Sequence, residues 1–152
     1  MGLALSQKEK MLLEDQKSHE QICIEKYRQY AARAQDAQLK QIFQTNEQQE
    51  RTHLDTLNQL LAGKLPDMNQ QSQNPAPNTN PAQSAADGLS DRDMCSDVLM
   101  TEKYVSGTYD TAIFEFRDTN VRDILNHIQK EEQKHGESVF QYMQNKGIYQ
   151  VQ

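Results

Sequence analysis

Tryptophan is absent from this 152-residue chain, and it has only two cysteines and four prolines. Cys23 and Cys95 are too few to staple a fold and read as reduced core residues. No apolar run approaches the roughly 20 residues that a bilayer span requires. Met1–Leu5 lack a basic region followed by an apolar one, so no secretory leader is expected. There is no basic patch either: 16 Lys+Arg stand against 22 Asp+Glu, a net charge of −6, which argues against nucleic acid as a partner. Hydrophobic residues make up only 36%. The length still suits one domain with a real core, taken as residues 1–152.

Glutamine is abundant, at 21 residues, and suits exposed helix surface and polar linker. All the prolines, Pro66, Pro75, Pro77 and Pro81, fall between Lys64 and Leu89. The rest of that stretch is largely Asn, Gln, Ser, Ala and Asp, which cannot bury apolar surface, so an exposed and mobile linker is expected at 64–89. Gly63 just before it suits a helix C-cap. Ser90 with Asp93 just after it resembles a capping box, as does Ser6 with Glu9 near the start.

Apolar residues recur at intervals of three and four over 6–34, 37–62, 91–116 and 119–146, predicting four helices. The stripes include Leu13, Cys23/Ile24, Tyr27 and Ala31; then Leu39, Ile42/Phe43 and Leu57; then Val98, Val105, Tyr109 and Phe116; then Val121, Ile124/Leu125, Ile128 and Val139. Asp36 and Asp118 are N-caps for tight turns, giving two αα-hairpins. A shift of 82 residues maps Glu20 onto Glu102, Tyr27 onto Tyr109, Asp36 onto Asp118, Glu50 onto Glu132 and His53 onto His135, so the hairpin reads as duplicated.

Each stripe is interrupted by an acid: Glu20, Glu50, Glu102 and Glu132. Glu20 and Glu50 lie fifteen residues either side of the first turn, and Glu102 and Glu132 fifteen either side of the second. At about 1.5 Å per residue, each pair sits about 22 Å from its own turn, so packed hairpins bring all four acids to one level. Four buried carboxylates without compensation would cost many kcal/mol, and two divalent cations would neutralise them. His53 and His135 share a helix face with Glu50 and Glu132, three residues earlier. One Glu from each of two helices plus Glu-x-x-His from each of the other two is a di-metal ligand pattern of helix bundles. The candidate ligands are thus Glu20, Glu50, His53, Glu102, Glu132 and His135, and carboxylate with imidazole suits two Fe or Mn ions, zinc remaining open. The competing reading is polar residues hydrated in a loose core.

Glu25, Glu47 and Glu131 fall off the stripes and read as solvated face; His19 and His127 read as exposed. Tyr27 and Tyr109 follow the acids by seven residues and read first as core packing, with hydrogen bonds to the opposite carboxylates as the alternative. Cys23 reads as core, and Cys95, roughly 10 Å along the axis from Glu102, is an unlikely ligand. Gly107 and Gly136 lie inside helices and would permit close packing.

Glu20 followed by Tyr27 and Ala31, then Glu50-Arg-Thr-His53, is similar to the rubrerythrin and bacterioferritin pattern of ferritin-like proteins. From Leu89 to Gln152 the chain resembles the Coat F family of spore coat proteins. The residues carrying this are Asp97-Val-Leu-Met-Thr-Glu-Lys, Tyr109, Val121-Arg-Asp-Ile-Leu, Glu131-Glu-Gln-Lys-His135 and the ending Val139–Tyr149. Gly147-Ile148-Tyr149 stands where that family usually has Gly-Trp-Tyr. The resemblance implies an all-α ferritin-like four-helix bundle, a place in the spore coat after synthesis in the mother-cell cytoplasm, and other coat proteins as partners, with a homodimer allowed. It does not imply catalysis, and many members lack the complete ligand set present here. The alternative is a di-iron or di-manganese peroxidase, catalase or oxidase of the rubrerythrin type. A long crossover between the hairpins is also expected, because a bundle about 40 Å long is within reach of 26 linker residues.

Overall fold

The computed structural model describes residues 2–67 and 89–150. Four helices form an all-α bundle: α1 Gln7–Arg33, α2 Ala37–Leu61, α3 Asp91–Glu115 and α4 Thr119–Asn145. α1 pairs with α2 and α3 with α4; α1 also packs on α3, and α2 on α4. Most of the proline-rich stretch, 68–88, lies outside the described residues, and so does the expectation of mobility for it.

Local chemistry sets the helix boundaries. Ser6 accepts from Glu9 N–H while Glu9 accepts from Ser6 N–H, a complete capping box. Ser90 makes only the forward bond, accepting from Asp93 N–H, so the second expected box is a simple N-cap. Asp36 and Asp118 cap α2 and α4 as the sequence indicates. α2 ends where Gly63 takes φ +82°, letting Lys64 N–H reach the Gln59 carbonyl, and α4 ends similarly at Gly147, φ +72°.

Contacts at the two ends fix the topology. At one end Leu3 N–H donates to the Gly63 carbonyl, and Arg117 N–H donates to Glu9. The start of α1, the end of α2 and the α3–α4 turn therefore meet there. At the other end Asp91 accepts from Gln35 and Asp36 N–H, and Tyr142 O–H donates to Asp36. The start of α3 thus sits beside the α1–α2 turn, a bundle length from the end of α2. The two hairpins are joined by a crossover, as the linker length predicts.

The core falls into two apolar clusters. One gathers Leu13, Leu57, Leu60, Val105, Phe116, Val121 and Leu125 toward the α3–α4 turn. The other gathers Tyr27, Leu39, Phe43, Met94, Val98 and Val139 toward the α1–α2 turn. Each large apolar side chain that is fully buried contributes about 1.5–3 kcal/mol. Between the clusters, at mid-height, every helix carries an acid.

Candidate metal centre

The 3.6-residue period places Glu20 on α1, Glu50 and His53 on α2, Glu102 on α3, and Glu132 and His135 on α4 along the inward stripes. All six are at most 3% exposed. They form two overlapping groups, Glu20–Glu50–His53–Glu132 and Glu50–Glu102–Glu132–His135, each offering ligand atoms within 4.8 Å of one another. Glu50 and Glu132 belong to both groups, whereas Glu20 with His53 and Glu102 with His135 belong to one each.

Both imidazoles turn Nδ1 inward. His53 Nδ1 lies 2.9 Å from Glu132 Oε1 and 3.7 Å from Glu20 Oε2. His135 Nδ1 lies 2.6 Å from Glu50 Oε1 and 3.5 Å from Glu102 Oε1. The rings are nearly parallel, with centroids 5.8 Å apart and 26° between planes. The tyrosines cross over reciprocally: Tyr27 O–H donates to Glu102 at 2.7 Å and Tyr109 O–H to Glu20 at 2.6 Å. Of the two readings open for these tyrosines, the hydrogen-bonded one holds, and it obeys the 82-residue repeat. Cys23 and Cys95 are buried free thiols outside both groups, as expected of core residues.

Six buried atoms of this cluster lack a hydrogen-bond partner: Glu20 Oε2, both Glu50 oxygens, Glu102 Oε2, Glu132 Oε2 and His135 Nδ1. The close His135–Glu50 approach is therefore proximity without hydrogen-bond alignment. Every buried side-chain atom of this kind among the described residues belongs to the centre. Orphaned buried oxygens are costly unless a cation or proton satisfies them. No lysine or arginine reaches the four acids among the described residues; their ion-pair partners are the two histidines.

The protonation pattern follows from that crowding. Burial, then the charge of Glu20, pushes Glu50 up to about 7. Burial, then Glu132, pushes Glu102 up to about 8. Glu20 is likewise raised by burial and then by Glu132. Burial and Glu50 also press on Glu132, but the neighbouring Glu102, His135 and His53 side chains outweigh them and keep it below the usual range. Both imidazoles lie well above their ordinary value: burial opposes their charge, but their carboxylate partners prevail. Burial, then the nearby acids, holds the Tyr27 and Tyr109 phenols protonated, so they stay donors. Without a cation, protons offset the negative cluster, and these are what bound metals would displace.

Four expectations from the sequence need correction. Glu131 is not a solvated acid: its side chain is 22% exposed, and Oε1 lies 2.9 Å from His53 Nε2 and 3.1 Å from His127 Nε2. His19 is half-buried rather than exposed, with its ring edge-on to Tyr104 and Nδ1 3.3 Å from Gln16 Oε1. Gly107 supports no close packing, because a Cβ there would meet nothing within 4 Å. At Gly136 a Cβ would meet Leu99 and Glu102 only at ordinary contact distance. Gly136 instead lines a groove of about 610 Å³ along α3 and α4, together with Leu99, Lys103, Phe140, Tyr149 and the acids Glu102 and Glu132. Glu47 is not a solvated acid either: its side chain is 14% exposed and pairs with Arg51 at 2.8 Å. Glu25 and His127 are exposed, as expected.

Gln49 is a further partner that the apolar stripes do not reveal: its Oε1 forms a short hydrogen bond with His135 Nε2. The signal was available in the repeat, since a shift of 82 maps Gln49 onto Glu131.

Residues 90–152 match the Coat F domain family. The Coat F match thus covers Glu102, Glu132, His135 and Tyr109 but neither Glu20 nor Glu50, which the duplicated first hairpin supplies. Beyond the Coat F match, no curated protein and no solved structure matches the chain.

Proposed function

We propose that this chain is a spore coat-associated ferritin-like protein, a single domain over 1–152 that holds two Fe or Mn ions in its bundle core. The observation that carries the metal reading is the set of six unpartnered buried atoms, all on four acids and one imidazole that converge from four helices. Glu20 and His53 would serve one ion, Glu102 and His135 the other, with Glu50 and Glu132 between them. The donors fit the group: oxygen and imidazole ligands without thiolate suit Fe or Mn. The Coat F match supports the coat location, with synthesis in the mother cell and other coat proteins as partners. A homodimer is compatible with this assignment.

A second reading, a di-metal peroxidase, catalase or oxidase, draws on the groove that touches Glu102 and Glu132, because a small oxidant needs a path to the centre. Bound iron or manganese would supply electron transfer to peroxide or dioxygen. The chain would hold Glu20 and Glu102 in place through Tyr109 and Tyr27, keep both imidazoles oriented, and exclude bulk water.

Metal analysis of protein purified without chelator, with a peroxide-consumption assay on the same sample, tests both readings. Metal without turnover supports the coat protein; metal with turnover lost in Glu50→Ala supports the enzyme; neither metal nor turnover refutes both. Immunoblotting of fractionated spores tests the location, and protein confined to the core fraction would contradict it.

A further inference from the structure

The inner ligands obey the repeat. Each group of four contains one acid of its own, one imidazole presenting Nδ1, and the shared Glu50 and Glu132. The symmetry breaks one bond further out. His53 Nε2 pairs with a carboxylate oxygen of Glu131 at 2.9 Å, whereas His135 Nε2 pairs with the amide oxygen of Gln49. Positions 49 and 131 are equivalent under the 82-residue shift, so an anionic brace on one imidazole faces a neutral brace on the other.

We infer that the two metal positions are unequal, the His53 position holding its ion more tightly than the His135 position because Glu131 braces one ring and Gln49 the other. The inference rests on the two-metal reading. Both braces accept an N–H from the ring and fix the same tautomer, leaving Nδ1 free to bind. Only the carboxylate adds negative charge, which makes its imidazole the stronger donor. Exposed His127 lies 3.1 Å from the same Glu131 oxygen and shares it without displacing His53. The groove adds a second asymmetry. It touches Glu102, the acid belonging only to the His135 position, while Glu20 is not among its lining residues. This groove thus reaches the weaker position through an acid of its own, as well as Glu132, which both positions share.

The test is titration of apoprotein with Mn(II), counting free ion by its paramagnetic resonance signal, for the parent, Glu131→Gln and Gln49→Glu. Neither position is fully buried and both changes nearly keep side-chain volume, so folding, checked by helicity, should survive. The parent should bind two ions in two steps. Glu131→Gln should weaken the tight step by about 10–100-fold and leave the weak step in place. Gln49→Glu should tighten the weak step by a similar factor and leave the tight step in place. Two steps of equal affinity in the parent, a tight step indifferent to Glu131→Gln, or a Gln49→Glu effect confined to the tight step would each overturn the inequality. No Mn(II) bound by the parent would refute the two-metal reading itself. Should one variant fail to fold, the other still decides, since each acts on a different step.

Discussion

Replacing Glu50 by Gln should stabilise the metal-free protein at alkaline pH, an unusual direction for a change at a fully buried residue. Glu50 is 0% exposed, and burial with the neighbouring Glu20 charge pushes its carboxyl from 4.5 up to about 7. A raised acid pKa means that the folded state keeps its proton after the unfolded state has lost it. Stability from this group is therefore full below about 4.5, declines as pH rises to about 7, and stays lost above. At about 1.4 kcal/mol per pH unit, the ionised group costs roughly 3 kcal/mol at pH 8.5. Gln removes that cost while nearly keeping the volume. Its amide must still find partners among the acids, so a gain of about 1–3 kcal/mol is the expected range. For a chain of this size that is roughly 3–10 °C in Tm. The variant and parent should converge near pH 5, where the parent carries the proton. The assay is thermal melting by circular dichroism with chelator present, from pH 5 to 9, repeated with Mn(II). With metal the ranking should reverse, because the variant loses an acid common to both groups. A chelated variant no more stable than the parent at pH 8.5 would show that these acids are not crowded together.

The reciprocal tyrosines should be energetically equivalent: Tyr27→Phe and Tyr109→Phe should each cost about 1.5–3 kcal/mol in urea unfolding, since each removes a hydrogen bond to a buried acid. Glu9→Ala should cost about 2–4 kcal/mol at neutral pH. Burial opposes its charge, but bonds from the Ser6 and Arg117 backbones and the Arg117 guanidinium hold it at about 2, so the loss should disappear only as pH falls toward that value. Cutting 64–89 to about five residues, a reach of roughly 17 Å, leaves it short of a bundle near 37 Å long. The shortened protein should exchange hairpins into a dimer or melt lower, and a monomer with unchanged Tm by light scattering and calorimetry would contradict the crossover.

The parts of this molecule legible in the sequence are those governed by a period or a local bond. Glu20, Glu50, Glu102 and Glu132 stand out because an acid at an apolar stripe position breaks a pattern of three and four. Asp36, Asp118, Ser6 and Gly63 act on backbone groups a few residues away, so their roles can be read in place. The role of Glu131 is hidden from the sequence for a geometric reason. It lies one residue from Glu132, about 100° around the helix, which is solvent for a short side chain. An imidazole reaching outward from α2 meets that flank at the seam between helices, and the stripe carries no information about seams. Glu9 shows the same limit: its capping role is local, while its Arg117 partner is 108 residues away. Glycine is costly in a helix, which points to packing at Gly107, yet a Cβ there would meet nothing within 4 Å.

The most direct test of the central claim is a crystal of the Mn(II)- or Fe(II)-reconstituted protein, with anomalous scattering collected at the edge of that metal. Two peaks about 3.5–4 Å apart, both within bonding distance of Glu50 and Glu132, with His53 Nδ1 on one and His135 Nδ1 on the other, are predicted. A cluster without an anomalous peak, its acids bridged only by water or protons, would contradict it.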